Sequence, residues 1–140
     1  MERDDLGELI VMSAADVEDM PWQQLGDDPG VVQKLLWRSG SVRLGLMRIE
    51  PGSENPVHIH ESAQHHILVT QGEAEMVGTR MSAGAYIYVP PGVPHGVSSV
   101  GPDGVTFFYT YRPVTGAEPE EQQDRGRHPA VSDAQAAVAF

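Results

Sequence analysis

The chain has 140 residues, 40% of them apolar and none of them cysteine, which sets one compact domain as the expectation. It also excludes disulfides, iron-sulfur clusters, thiolate zinc sites and cysteine nucleophiles, so any metal must be held by nitrogen and oxygen. The net charge of −11 sits at the ends, with −8 on residues 1–28, zero on residues 29–112 and −3 on residues 113–140. One lysine and eight scattered arginines give no basic patch, and nucleic acid and anionic membranes are therefore not expected partners. With no run of 18 apolar residues and no basic-then-apolar leader, the expected location is cytoplasmic.

Three stretches are expected along the chain: an acidic N-terminal segment over 1–29, a β-barrel over 30–112 and a C-terminal tail over 113–140. The first opens with a short strand, Leu9 to Met12. Ser13-Ala14-Ala15-Asp16 then has the Ser-x-x-acid spacing of a capping box and predicts one or two helical turns before Pro21. From Val31, β-branched and aromatic runs are punctuated by Gly and Pro. They predict strands at Val31–Trp37, Val42–Ile49, Val57–His60, Gln64–Thr70, Ala74–Val77, Tyr86–Val89, Gly96–Ser99 and Val105–Tyr111. Turn chemistry separates them at Ser39-Gly40, Pro51-Gly52, Gln71-Gly72, Pro90-Pro91-Gly92 and Gly101-Pro102-Asp103-Gly104. So many short strands with little helix make an all-β sandwich or barrel. The tail lacks strand signals, and Ser132–Phe140 is a candidate short helix docked through Val138 and Phe140.

Five of the six histidines cluster within this barrel region. In His58-Ile59-His60 the period of two points both imidazoles to one face, with Cα atoms roughly 6.5–7 Å apart, which suits two ligands on one metal. His65 and His66 open the next strand, and only one of them can face the same way. His65, Ile67 and Val69 share that face in one register, while a slip of one residue substitutes His66 or Gln64. His95 follows the rigid Pro90-Pro91-Gly92-Val93-Pro94 turn. A pair at i, i+2, a third histidine a few residues on and a fourth on a distant turn make a four-nitrogen site plausible.

Gly52-x5-His58-x-His60-x4-His65-x6-Gly72 resembles the first motif of the cupin superfamily, and Gly84-x5-Pro90-x-Gly92-x2-His95-x3-Ser99 resembles its second. The likeness covers roughly residues 30–112. It implies a single antiparallel jelly-roll β-barrel with one divalent metal ion, Zn, Fe, Mn or Ni, in its mouth, held by His58, His60, His65 and His95. The chain departs from the family at two positions: His65 stands where most metal-binding cupins have Glu, and Ser99 stands where the motif has Asn. Four neutral imidazoles leave a divalent ion its full charge, which strengthens it as a Lewis acid, and an octahedral ion would keep two positions for a chelating substrate.

The resemblance thus implies a metal-dependent enzyme acting on a small carbonyl, enolisable or phenolic compound. Its reaction would be similar either to the polyketide cyclases or to the dioxygenases of the superfamily. The alternative is a cupin module that binds a metal or small molecule without turnover. Tyr86, which shares a strand face with Tyr88, is a candidate substrate-binding phenol, and Glu61, next to His60, a candidate general base. Phe107, Tyr109 and Tyr111 alternate as a core or dimer-interface face. No Gly-x-Ser-x-Gly elbow and no phosphate-cradling glycine loop is present. A homodimer is expected from the family likeness, with the apolar Val31–Trp37 strand as its edge.

Overall fold

A computed structural model describes residues 7–114, so residues 115–140 of the C-terminal tail, with its candidate helix, lie outside the described residues. Ser13 caps the first element, α1 (Ala14–Asp19), as expected: its hydroxyl accepts from the Asp16 amide at 3.0 Å, and the Asp16 carboxylate accepts from the Ser13 amide at 3.0 Å. Leu9–Met12 is not a strand; it has no regular secondary structure and its side chains are exposed. The helix ends on Lys34, whose buried ammonium donates to the carbonyls of Val17 (2.7 Å) and Glu18 (3.0 Å) and lies over the Trp22 ring. A cation there complements the negative end of the helix and adds a donor to carbonyls of its last turn, of which Val17 O also accepts from the Met20 amide at 3.2 Å.

Among the described residues nine strands follow: β1 (Gln23–Gln24), β2 (Val31–Ser39), β3 (Val42–Ile49), β4 (Asn55–His58), β5 (Ala63–Met76), β6 (Thr79–Ser82), β7 (Tyr86–Val89), β8 (His95–Ser98) and β9 (Val105–Pro113). They pair antiparallel in the order β1-β2-β3-β9-β5-β8-β4, with β6 and β7 also on β5. One short helix and a curled antiparallel sheet are the jelly-roll architecture that the sequence predicts. Among the described residues, no helix is long and apolar enough to cross a membrane.

Alternation along each strand sorts the side chains. Met47 and Ile49 of β3, Ile67 and Val69 of β5, and Val105, Phe107 and Tyr109 of β9 point inward and are buried to 1% exposure or less. Phe107 and Tyr109 are therefore core. The Tyr109 hydroxyl donates to Gln33 Oε1 at 2.6 Å, so this buried polar pair is satisfied. Burial raises the pKa of that phenol, against the opposing effect of Arg43.

Most predicted bounds shift by one or two residues, as in β2, β8 and β9, and two larger changes bear on the site. Gln64–Thr70 and Ala74–Val77 are halves of one 14-residue strand, β5, because Gly72 is a bend within the strand and not a turn. Its φ of +74° needs glycine, and a Cβ there would meet the Gly104 carbonyl oxygen at 1.9 Å. The true turn is Val77-Gly78, with φ of +50° and +73°, the conformation of a two-residue type I′ hairpin leading into β6. The second shift is at β4, which ends at His58 and leaves Ile59 and His60 in the connection to β5.

Candidate metal centre

His58 closes β4 and stands directly opposite His95, the first residue of β8, so the antiparallel ladder brings two distant histidines together with ring centroids 4.3 Å apart. His60 lies beyond the strand end. The Gly92 amide donates to its carbonyl at 2.9 Å, which ties the Pro90-Pro91-Gly92 turn to the His60 loop and fixes His95 relative to it. The ring-nitrogen ligand atoms of His58, His60 and His95 all lie within 4.8 Å of one another.

His65 is the inward residue at this end of β5, fully buried, with its ring 4.8 Å from that of His60 and 5.0 Å from that of His95. The register decides between the two neighbours: His65 pairs with buried Val89, and His66 pairs with exposed Tyr88. The structure places Gln64 and His66 on the outer side. Tyr88 donates to Gln64 Oε1 at 2.9 Å, and the Tyr86 hydroxyl lies 2.7 Å from His66 Nδ1.

Carbonyl oxygens only accept, so the hydrogen bonds also set the tautomers. Nδ1–H of His58 donates to Pro56 O at 2.7 Å, that of His95 to Val93 O at 2.9 Å and that of His65 to Thr110 O at 3.1 Å. In the neutral ring each therefore carries its acceptor lone pair on Nε2, the arrangement by which backbone carbonyls orient metal-ligating imidazoles. The Nε2 of His65 is buried and has no hydrogen-bond partner. An orphaned acceptor costs free energy unless something electrophilic meets it, so these residues fit a divalent cation. Burial, and then the neighbouring His60 and His95, lower the His65 pKa from 6.5 to about 2, while the Thr110 bond opposes the shift. The ring is thus held in its neutral, ligating form.

The other candidate residues are placed differently. Glu61 is exposed beside Gly92 at the rim. Tyr86 is 57% exposed on the outer face of β7, stacked with His66, and the fold does not bring it to the histidine cluster. Tyr111, expected in a core or interface face, is buried with Ala63 and also meets the site: its ring is 5.3 Å from those of both His60 and His65. The Arg43 guanidinium lies over the same ring at 4.2 Å. Alternation from Phe107 and Tyr109 gives the inward direction of Tyr111, but only strand register shows its level along the barrel.

The family profile described as the ChrR Cupin-like domain matches residues 11–115. The chain belongs to this cupin family. No curated protein sequence matches it. Among solved structures this cupin is similar to an RmlC-like cupin from Shewanella frigidimarina (26% identity, TM-score 0.56, covering 72% of this chain and 90% of that one). It also resembles a predicted oxalate decarboxylase from Thermotoga maritima (18%, 0.62, 70% and 96%), a likeness of fold alone. A third is the Rhodobacter sphaeroides complex of SigE with the anti-sigma ChrR (26%, 0.56, 66% and 50%). Cupins commonly bind a metal, and three histidines of this one cluster accordingly.

Proposed function

We propose that this cupin is a metal-dependent enzyme that holds one divalent ion at His58, His60, His65 and His95 and acts on a small enolisable carbonyl or phenolic compound chelated there. The observation that carries this reading is the buried Nε2 of His65, oriented by Thr110 and without a hydrogen-bond partner beside the other histidines. A bound divalent ion would supply Lewis acidity undiminished by a carboxylate ligand, together with open coordination positions for a bidentate oxygen donor. The backbone carbonyls of Pro56, Val93 and Thr110 hold the imidazoles in place. Tyr111 packs against two of them and walls the site with an aromatic surface. Glu61, exposed in the loop that follows His60, is the candidate to take a proton from a bound carbon acid. Tyr86, bound to His66 on the outer face, is positioned for a surface role.

Zinc-loaded and iron-loaded protein separate the two chemistries when offered 1,3-diketones and phenolic polyketones. Turnover with zinc in the absence of O₂ supports cyclisation, whereas oxygen uptake found only with iron supports dioxygenation. Absence of turnover with every metal and substrate contradicts the enzymatic reading. The likeness to the ChrR complex favours a second reading, a module that binds metal or a small molecule without turnover. It predicts that the chelated compound is recovered unchanged after prolonged incubation. Either way we propose a homodimer.

A further inference from the structure

We propose that residues 7–12 of one copy of this chain form an added strand on the β2 edge of a second copy, and reciprocally, so that two copies are joined by exchange of their N-terminal segments. This inference names the contact and rests on the homodimer proposed above. β1 covers only Val32 and Gln33 of β2. Its ladder cannot run on along β2, because the residue that would stand opposite Leu35 is Pro21, which has no amide hydrogen. The chain before Pro21 is α1, held over this end of β2 by the bonds from Lys34 to the carbonyls of Val17 and Glu18. Among the described residues, residues 34–38 therefore have no ladder partner on their outer side.

The same chain carries a segment that fits this edge. Leu9, Ile10, Val11 and Met12 are consecutive apolar side chains, 90%, 57%, 80% and 37% exposed. In its own chain the segment lies beside the edge without pairing: Glu8 and Ile10 line a groove of about 360 Å³ with Leu35, Leu36, Trp37 and Arg38, yet residues 7–12 have no regular secondary structure. As an added strand the segment would bond the edge through its main chain and set Leu9 and Val11 on one side of the sheet, Ile10 and Met12 on the other. Charge favours a segment as the occupant. Residues 1–12 hold four acids and one base, and Glu8 shares the groove with Arg38. Two β2 edges paired about Leu36 would instead oppose Lys34 of one copy to Arg38 of the other, and like charges in opposed positions repel. The bulge between Leu35 and Trp37 also bends the edge, which a segment with no structure of its own follows and a second rigid edge does not.

The chain has no cysteine, so an introduced pair reports this contact alone. Protein carrying both Ile10→Cys and Leu36→Cys is oxidised with diamide at tens of micromolar and separated by mass without reductant, with each single variant treated alongside. The double variant should run mainly at twice the chain mass and return to the chain mass on reduction, and neither single variant should do so. A disulfide closed within one chain, or no disulfide, overturns the exchange. A covalent dimer of either single variant shows like positions meeting across the two-fold axis and also overturns it. Should Leu36→Cys disturb the fold, Glu8→Cys with Arg38→Cys, two exposed positions of the same groove, takes its place with the same outcomes. Sedimentation of the unaltered protein keeps the two readings apart. A monomer removes the homodimer and the exchange with it, whereas a dimer whose paired cysteines close within each chain removes the exchange alone.

Discussion

His65 and His66 differ by one position and have opposite fates. His65 is enclosed, with Nδ1 on Thr110 and Nε2 turned toward the other histidines, while His66 pairs with Tyr86 on the outer face. Substituting each in turn separates ligands from neighbours. His65→Ala and His95→Ala should each lower the metal content of untagged protein at least tenfold, and His66→Ala should leave it unchanged. Elemental analysis checks both; retained metal in the first two would remove those residues from the ligand set. The depressed His65 pKa also predicts a pH dependence of the metal-free fold. In the unfolded chain the ring takes a proton below 6.5, whereas the folded ring stays neutral down to about 2. Stability is therefore fully present above pH 6.5 and is lost as the pH falls below it, by up to about 1.4 kcal/mol per pH unit. Urea unfolding of metal-free protein at pH 7.5 and 5.5 should show this loss, and His65→Leu should flatten it. An equal slope in the variant would place the pH sensitivity elsewhere.

At the scale of strands, glycine geometry makes the sharpest predictions. Gly72→Ala puts a methyl group into the Gly104 carbonyl at a left-handed bend and should cost on the order of 3 kcal/mol. Gly40→Ala, with a similar φ of +57° but open space around it, should cost about 1 kcal/mol. Chemical denaturation compares them, and equal losses would show that φ alone sets the cost. Ser99 has φ of +49° at the position where the cupin motif carries Asn. Asn tolerates this conformation better, so Ser99→Asn should stabilise the fold by about 0.5 kcal/mol. The element pattern was legible in the sequence because period-two runs and turn residues mark strands directly, and Ser13 with Asp16 marked the helix start. What was not legible depends on pairing across the sheet. Gln71-Gly72 has the composition of a turn, and only its contact with Gly104 makes it a bend inside β5. The outward placement of Tyr86, and the arrival of Tyr111 at the histidines, follow from inter-strand registers that no single strand encodes.

For the whole molecule, the sheet edge suggests how two copies meet. β1 covers only Val32 and Gln33 of β2, so among the described residues the stretch from Lys34 to Ser39 has no ladder partner on its outer side. Leu9, Ile10 and Val11 are exposed apolar side chains, and Ile10 lines a groove with Leu35, Leu36 and Trp37. Such an edge is a template for pairing, and the proposed homodimer should form there. Sedimentation at tens of micromolar should give twice the chain mass, and a monomer would contradict the proposal. The central claim concerns the first coordination sphere, and an X-ray absorption spectrum of stoichiometrically metal-loaded protein tests it most directly. Four imidazole nitrogens, falling to three in His65→Ala, are the predicted result; a protein carboxylate in the shell, or only two nitrogen ligands, would contradict it.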